Sequence, residues 1–346
     1  MKVLIIGGSR FLGKTFVDEA LKQNHEVTVF NRGNHNSSLS KDVEIIVGDR
    51  NNDLHLLENR NWDAVLDTCG QTPISVRKST QLLKNHIEQY TFISSISVYE
   101  DWVPLDIKED YKVQTMSVQE ADKITQDPDA DIRPYYGAFK RLCEMEAEKN
   151  LDGKVLNIRA GLLVGAHDYT DRLPYWVHRV AKGGKILAPG NPNRRVQFID
   201  NRDMSRWILK MMNERGTGTY NTTGPDYPLT MEQFLLTCKK VTGSNAEFEW
   251  VDEKFLLDNH VAPWTEMTLW IPEEYPLSEG EKPWKGATSI NIDKALSEGL
   301  TFRPLEETIQ EIHDWLQTRN DNSLQAGMKE DRETEILSKW NLTRNK

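Results

Sequence analysis

The tightest constraint on this chain lies in its first thirteen residues. Val3-Leu4-Ile5-Ile6 is an unbroken apolar run, and Gly7-Gly8-Ser9-Arg10-Phe11-Leu12-Gly13 follows at once. A short continuous apolar run is expected of a strand buried on both faces, as in a parallel sheet. From Phe11 to Gln23 the apolar residues Phe11, Leu12, Phe16, Val17, Ala20 and Leu21 then share one helical face. Strand, glycine turn and helix in that order aim the free N–H groups of a helix start at the end of a strand, which is a phosphate site. Gly7 allows the tight turn and Gly13 the close helix–sheet packing.

The same rhythm continues. Strands are expected at 27–30, 43–47, 64–66, 90–93 and 155–158, with helices at 74–86 and 135–150 between them. The reading is an α/β fold, a doubly wound parallel sheet of Rossmann type covered on both faces. After Gly165 the pattern becomes irregular. Residues 188–193 read as turn. The stretch 247–285, with Trp250, Trp264, Trp270 and Trp284, reads as loops and short elements of a smaller domain. Helices are expected at 304–315 and, strongly charged, at 329–340. With 346 residues there is room for two domains. The expected division is a dinucleotide-binding domain at 1–165, rejoined by 195–225; a substrate-binding domain from 166–194 and 226–318; and a helical tail at 319–346.

A net charge of -10 argues against a broad nucleic-acid footprint, so no nucleic-acid partner is expected. Three scattered cysteines, Cys69, Cys143 and Cys238, suggest neither a disulfide framework nor a metal site. The apolar run at the start is too short for a secretory signal core or a membrane span. A cytoplasmic setting, no membrane and no metal are the expectations.

Tyr136 and Lys140 stand four apart at the start of a predicted helix, so they share a face. A free tyrosine titrates near 10 and is a poor base at neutral pH. A neighbouring ammonium favours its phenolate, which makes Tyr136 a candidate general acid/base. The second strand ends Asn31-Arg32-Gly33. An acid there would bind the ribose 2′-hydroxyl of NAD; its absence, with Arg10 and Arg32 nearby, points to the 2′-phosphate of NADP, with NAD as the other choice.

These residues resemble the extended short-chain dehydrogenases/reductases, the NAD(P)-dependent epimerase/dehydratase family. Gly7 and Gly13 match the outer glycines of the family's Gly-x-x-Gly-x-x-Gly, while Arg10 stands at the middle position. The resemblance implies that Gly7, Ser9, Arg10, Phe11, Leu12 and Gly13 hold the cofactor with Asn31 and Arg32. Asp49 and Arg50 after the third strand, and Thr68 and Cys69 after the fourth, join that set. Asp49 is either an adenine contact or a turn and cap residue. By the same likeness Ser95 is the catalytic hydroxyl, Ser97 supports it, Tyr136 is the acid/base, and Lys140 also holds the nicotinamide ribose. The family's dehydratases place Asp-Glu just after the catalytic hydroxyl; here Ile96 and Ser97 stand there, so dehydration is not expected. His167, Asp168 and Arg172 are candidates for the substrate cleft. Arg195 is a further anion contact, one residue from the family's diphosphate arginine, whose place Val196 takes. The likeness extends to an atypical branch with Gly-Gly-x-Arg-Phe loops, which holds bacterial reductases and chloroplast RNA-binding relatives.

The implied activity is an NADP(H)-dependent oxidoreductase or keto-intermediate epimerase. Its substrate would be a hydroxyl or carbonyl of a small molecule, with sugars and nucleotide sugars as candidates, and a homodimer is expected. The alternatives are a non-enzymatic dinucleotide sensor and an RNA-binding protein on the same fold.

Overall fold

The computed structural model describes residues 1–127, 129–321 and 323–344; positions 322, 345 and 346 of the expected tail lie outside the described residues. The strands are β1 (Lys2–Ile6), β2 (Glu26–Asn31), β3 (Glu44–Val47), β4 (Trp62–Asp67), β5 (Ile87–Ser95), β6 (Val155–Ala160), β7 (Leu163–Val164), β8 (Lys185–Pro189), β9 (Ile199–Asp200), β10 (Gly218–Thr222) and β11 (Glu247–Val251). The helices are α1 (Phe11–Lys22), α2 (Pro73–Leu83), α3 (Val118–Gln126), α4 (Tyr136–Asn150), α5 (Arg172–Ala181), α6 (Asn201–Asn213), α7 (Met231–Thr242), α8 (Glu253–Asp258), α9 (Asp293–Ser297), α10 (Leu305–Thr318) and α11 (Glu330–Arg344).

Seven strands form one parallel sheet in the order β10-β6-β5-β4-β1-β2-β3. Parallel strands need crossovers, and these put helices on both faces. On one face Phe16 and Val17 of α1 and Met204 and Ile208 of α6 pack on Val3, Ile5 and Ile158. On the other, Val76 of α2 and Cys143 and Ala147 of α4 pack on Leu4, Ile6 and Phe92. The order reverses beside β1, with β2 on one side and β4 on the other. A ligand crevice opens at such a point, beyond the strands' carboxyl ends.

A second core lies off the sheet, built from α5, β8, α7, β11, α10 and α11, with Trp176, Phe234 and Trp270 fully buried. The expectation of irregular chain after Gly165 is corrected here, because α6 and α7 are regular helices of thirteen and twelve residues. Strand β10 carries the chain back to the main sheet beside β6. The charged C-terminal helix is fastened down: Ile336 and Leu337 are buried, and Glu333 accepts from Arg179 and from the Leu187 amide. Among the described residues no helix is long and apolar enough to cross a membrane, and no group of three or more His, Cys, Asp or Glu could hold a metal ion.

Candidate active site

A cleft of about 530 Å³ opens at the carboxyl ends of β1, β2 and β4. Its floor is the glycine turn. Gly7 and Gly8 have φ of 106° and 81°, a region side chains disfavour. A Cβ on Gly13 would lie 2.5 Å from the Gly8 Cα, so this position too is closed to larger residues. The turn is held from both sides: the Asn31 amide donates to the Gly7 carbonyl at 3.2 Å, and the Gly8 amide approaches the Thr68 hydroxyl at 3.4 Å. At Arg10 the backbone is extended, with φ -133°, so glycine is not required there. The Arg10 guanidinium instead lies 4.3 Å from the centroid of the Tyr169 ring, whose edge meets Phe11. Tyr169 thus roofs the start of α1, a contact between distant segments that sequence reasoning missed.

All twelve residues expected around the dinucleotide, from Gly7 to Cys69, line this one cleft. Their side chains have different duties. Arg32 is exposed at the mouth. Asn31 is occupied by Gly7, Asn36 and the Gly33 amide. Asp49 accepts from the Asn51 amide in a tight turn. Arg50 is the main surprise. Its guanidinium forms a two-pronged ion pair with Asp67 at 2.7 and 2.8 Å and donates to the Ser79 hydroxyl and the Ser75 carbonyl. Cofactor binding through that guanidinium is therefore corrected: the group is committed inside the protein. Burial would raise the Asp67 carboxyl, but the Arg50 charge and hydrogen bonds from Arg50 and Tyr90 outweigh it and hold the carboxyl below the usual range. Burial and the nearby Asp67 charge push the Cys69 thiol up, which suits a packing residue.

The catalytic candidates converge at the end of β5. Lys140 is buried, and its ammonium donates to the carbonyls of Ile93 at 2.8 Å and Gly70 at 2.9 Å. Two of its three N–H groups are thereby used. The same nitrogen is 5.8 Å from the Tyr136 ring centroid. Tyr136, the first residue of α4, is 43% exposed and accessible to a substrate. Ser95 ends β5; its hydroxyl donates to the Ser97 hydroxyl and accepts from the Ser97 amide, both at 3.1 Å. Gly137 brings helix and strand together, since a Cβ there would stand 2.0 Å from the Ser97 carbonyl oxygen. Glu144, one turn beyond Lys140, locks the arrangement. It is fully buried and accepts from Ser94 at 2.6 Å and from Arg159 through two bonds of 3.0 Å.

The substrate-side candidates separate. His167 has φ 66° and packs its ring on Trp315 of α10, and Asp168 is buried with one carboxylate oxygen accepting from the Thr170 amide and hydroxyl. Both belong to the loop that carries Tyr169, which lines the cleft. Arg172 lies over the Trp264 ring at 5.3 Å, and Arg195 donates to the Ser289 hydroxyl.

This sheet order and the glycine cradle at its reversal define a dinucleotide-binding fold of Rossmann type. A model of the NAD dependent epimerase/dehydratase family matches residues 3–222, and the chain belongs to that family of extended short-chain dehydrogenase/reductase enzymes. It is similar to the UDP-N-acetylglucosamine 4-epimerase of Bacillus cereus, at 17% identity and a TM-score of 0.65, over 93% of this chain and 98% of that one. It is also similar to the Bordetella bronchiseptica enzyme WbmH, solved in complex with NAD+, at 15% identity and a TM-score of 0.66, over 92% and 99% of the two chains. At these identities the likeness speaks for the fold. Among curated proteins it is 25% identical over 268 residues to the chloroplast stem-loop binding protein of 41 kDa b of Arabidopsis thaliana. That match covers 70% of this chain and 63% of the relative's length.

Proposed function

We propose that the protein is an NADP(H)-dependent oxidoreductase or keto-intermediate epimerase acting on a hydroxyl or carbonyl of a small, sugar-like molecule. One observation carries the reading: an exposed phenol on Tyr136 shares a helix face with the anchored ammonium of Lys140, at the strand end that presents Ser95 beside an open cleft. The cleft fits a dinucleotide. Its glycine floor admits backbone but no Cβ, and α1 starts there with N–H groups free for a pyrophosphate. Asp49 is the one acid among its lining residues, while Arg10 and Arg32 both face it, which favours a 2′-phosphate.

A bound nicotinamide supplies hydride acceptance and return. The chain's own residues do the rest. Ser95 hydrogen-bonds the reacting oxygen and orients it. Tyr136 takes or returns the hydroxyl proton, and Lys140 stabilises the phenolate and retains a donor for the ribose. The same steps serve net reduction or epimerisation. Residues 166–194 and 226–318 form the substrate side in this reading, with a cytoplasmic setting and a homodimer.

The test is nicotinamide reduction across a panel of sugars and polyols, with Tyr136→Phe alongside. The reading expects turnover to fall by about 10²–10⁴ while dinucleotide affinity holds; unchanged turnover in the variant refutes it. An RNA-binding reading has one observation behind it, the stem-loop-binding relative. Salt-sensitive retention of RNA in a filter assay would favour it.

A further inference from the structure

Neither Arg10 nor Tyr169 takes part in the proton chemistry of the site, yet both line the dinucleotide cleft and each holds the other. The Arg10 side chain is exposed, and among the described residues its guanidinium makes no hydrogen bond or ion pair. It rests on the Tyr169 ring, 4.3 Å from the centroid. A guanidinium stacked in this way spends no donor: its five N–H groups point outward in its own plane and stay free for an anion.

The stack stands at the start of α1. The edge of the Tyr169 ring meets Phe11, the first residue of that helix. The amides of Gly13 and Lys14 donate to the Arg10 carbonyl, whereas those of Phe11 and Leu12 have no partner among the described residues. A diphosphate on the glycine turn rests on those two free amides, one residue from Arg10.

The loop that bears Tyr169 is pinned on both sides of it. His167 packs on Trp315, and Asp171 accepts from Arg319 at 2.7 Å and from the Gln325 amide at 3.0 Å. His167 and Asp171 have φ of 66° and 53°, and Phe11 across the contact has 37°. Side-chain-bearing residues keep such backbone only where their surroundings over-determine it, and such places gather at ligand clamps. Between the pinned residues the Tyr169 ring remains 55% exposed, so burial is not what its place in the cleft achieves.

We propose that Tyr169 is a positioning residue that presents the Arg10 guanidinium to the diphosphate of the bound dinucleotide, forming a clamp that slows its release. This rests on the dinucleotide reading of the cleft and divides the two arginines. Arg10 takes the diphosphate common to NAD+ and NADP+, and Arg32, exposed at the mouth, is left for the 2′-phosphate. Arg10 stands where the resembled glycine motif has its middle glycine, so the clamp belongs to this chain and not to the motif.

The experiment titrates the full chain with NAD+ and NADP+ by tryptophan fluorescence and reads dissociation by stopped flow. Arg10→Ala should weaken both dinucleotides by about tenfold, mostly through faster dissociation. Tyr169→Leu should weaken both by about two- to fivefold, and Tyr169→Phe, which keeps the ring, should restore them. In the Arg10→Ala background Tyr169→Leu should add nothing, because the ring acts through the guanidinium. A loss confined to NADP+ would assign Arg10 to the 2′-phosphate and overturn the inference. So would additive losses, which would mean that Tyr169 acts on the dinucleotide without Arg10, or indifference to either substitution. A protein that binds dinucleotide unchanged in these variants refutes the clamp alone; one that binds no dinucleotide refutes the reading beneath it and the clamp with it.

Discussion

Replacing Arg50 by alanine would leave the Asp67 carboxylate buried at 0% exposure with its charge partner gone. Two short bonds to Asp67 and those to Ser79 and Ser75 vanish together. Breaking a buried ion pair from one side costs about 3–5 kcal/mol, and that is the loss expected at neutral pH in urea unfolding followed by tryptophan fluorescence. Arg50→Met keeps most of the apolar stem and should retain most of the loss, because the stranded charge is its cause. Adding Asp67→Asn to Arg50→Met should recover stability, since no buried charge remains and Tyr90 still has an oxygen to donate to. The pH dependence has a definite sign. In the parent the Asp67 carboxyl is depressed, so its contribution is present above the ordinary value of about 3.9 and is lost as pH falls through the folded value. In Arg50→Ala burial is opposed only by the hydrogen bonds from Tyr90 and the Cys69 amide, the carboxyl takes up a proton earlier, and the gap between variant and parent narrows toward acid. A loss under about 1 kcal/mol, a gap that widens in acid, or strict additivity in the double variant would refute the reasoning. The pair also matters to the site, because the loop after β4 holds the Gly7–Gly8 turn through Thr68 and Lys140 through Gly70.

Three further outcomes follow from the geometry. Gly137→Ala puts a methyl 2.0 Å from the Ser97 oxygen and pushes α4 off the strand end by about 1 Å; steady-state kinetics should show turnover down about 100-fold with little change in dinucleotide affinity. Arg32→Ala should weaken NADP+ by about tenfold or more in a fluorescence titration and leave NAD+ nearly unchanged, as one charge-assisted contact is removed. Asp168→Asn should raise the melting temperature at neutral pH: burial lifts the Asp168 carboxyl above its ordinary value, so its ionisation opposes folding, and the gain should fade below about pH 3.9, where the unfolded chain is protonated too.

The first half of the fold was legible because its strands are unbroken apolar runs, and the glycine turn announced the cleft. Tyr136 and Lys140 were legible through helical spacing, which is local. What escaped was non-local or masked. The Arg50–Asp67 pair spans two loops, and the Arg10–Tyr169 stack joins segments about 160 residues apart in the chain. Helix α7 did carry a start signal, since Thr230 and Gln233 form a reciprocal cap, but the prolines and tryptophans around it suggested loop. Glu144 reads as one more charge on a polar helix; only packing against Arg159 and Ser94 shows that it faces inward.

A crystal structure of the NADP+ complex bears most directly on the central claim. The pyrophosphate should lie on the backbone N–H groups at the start of α1, the 2′-phosphate by Arg32, and the nicotinamide ribose on Lys140, with Tyr136 and Ser95 facing the ring. A dinucleotide bound elsewhere, or one whose nicotinamide end points away from Tyr136, would contradict it.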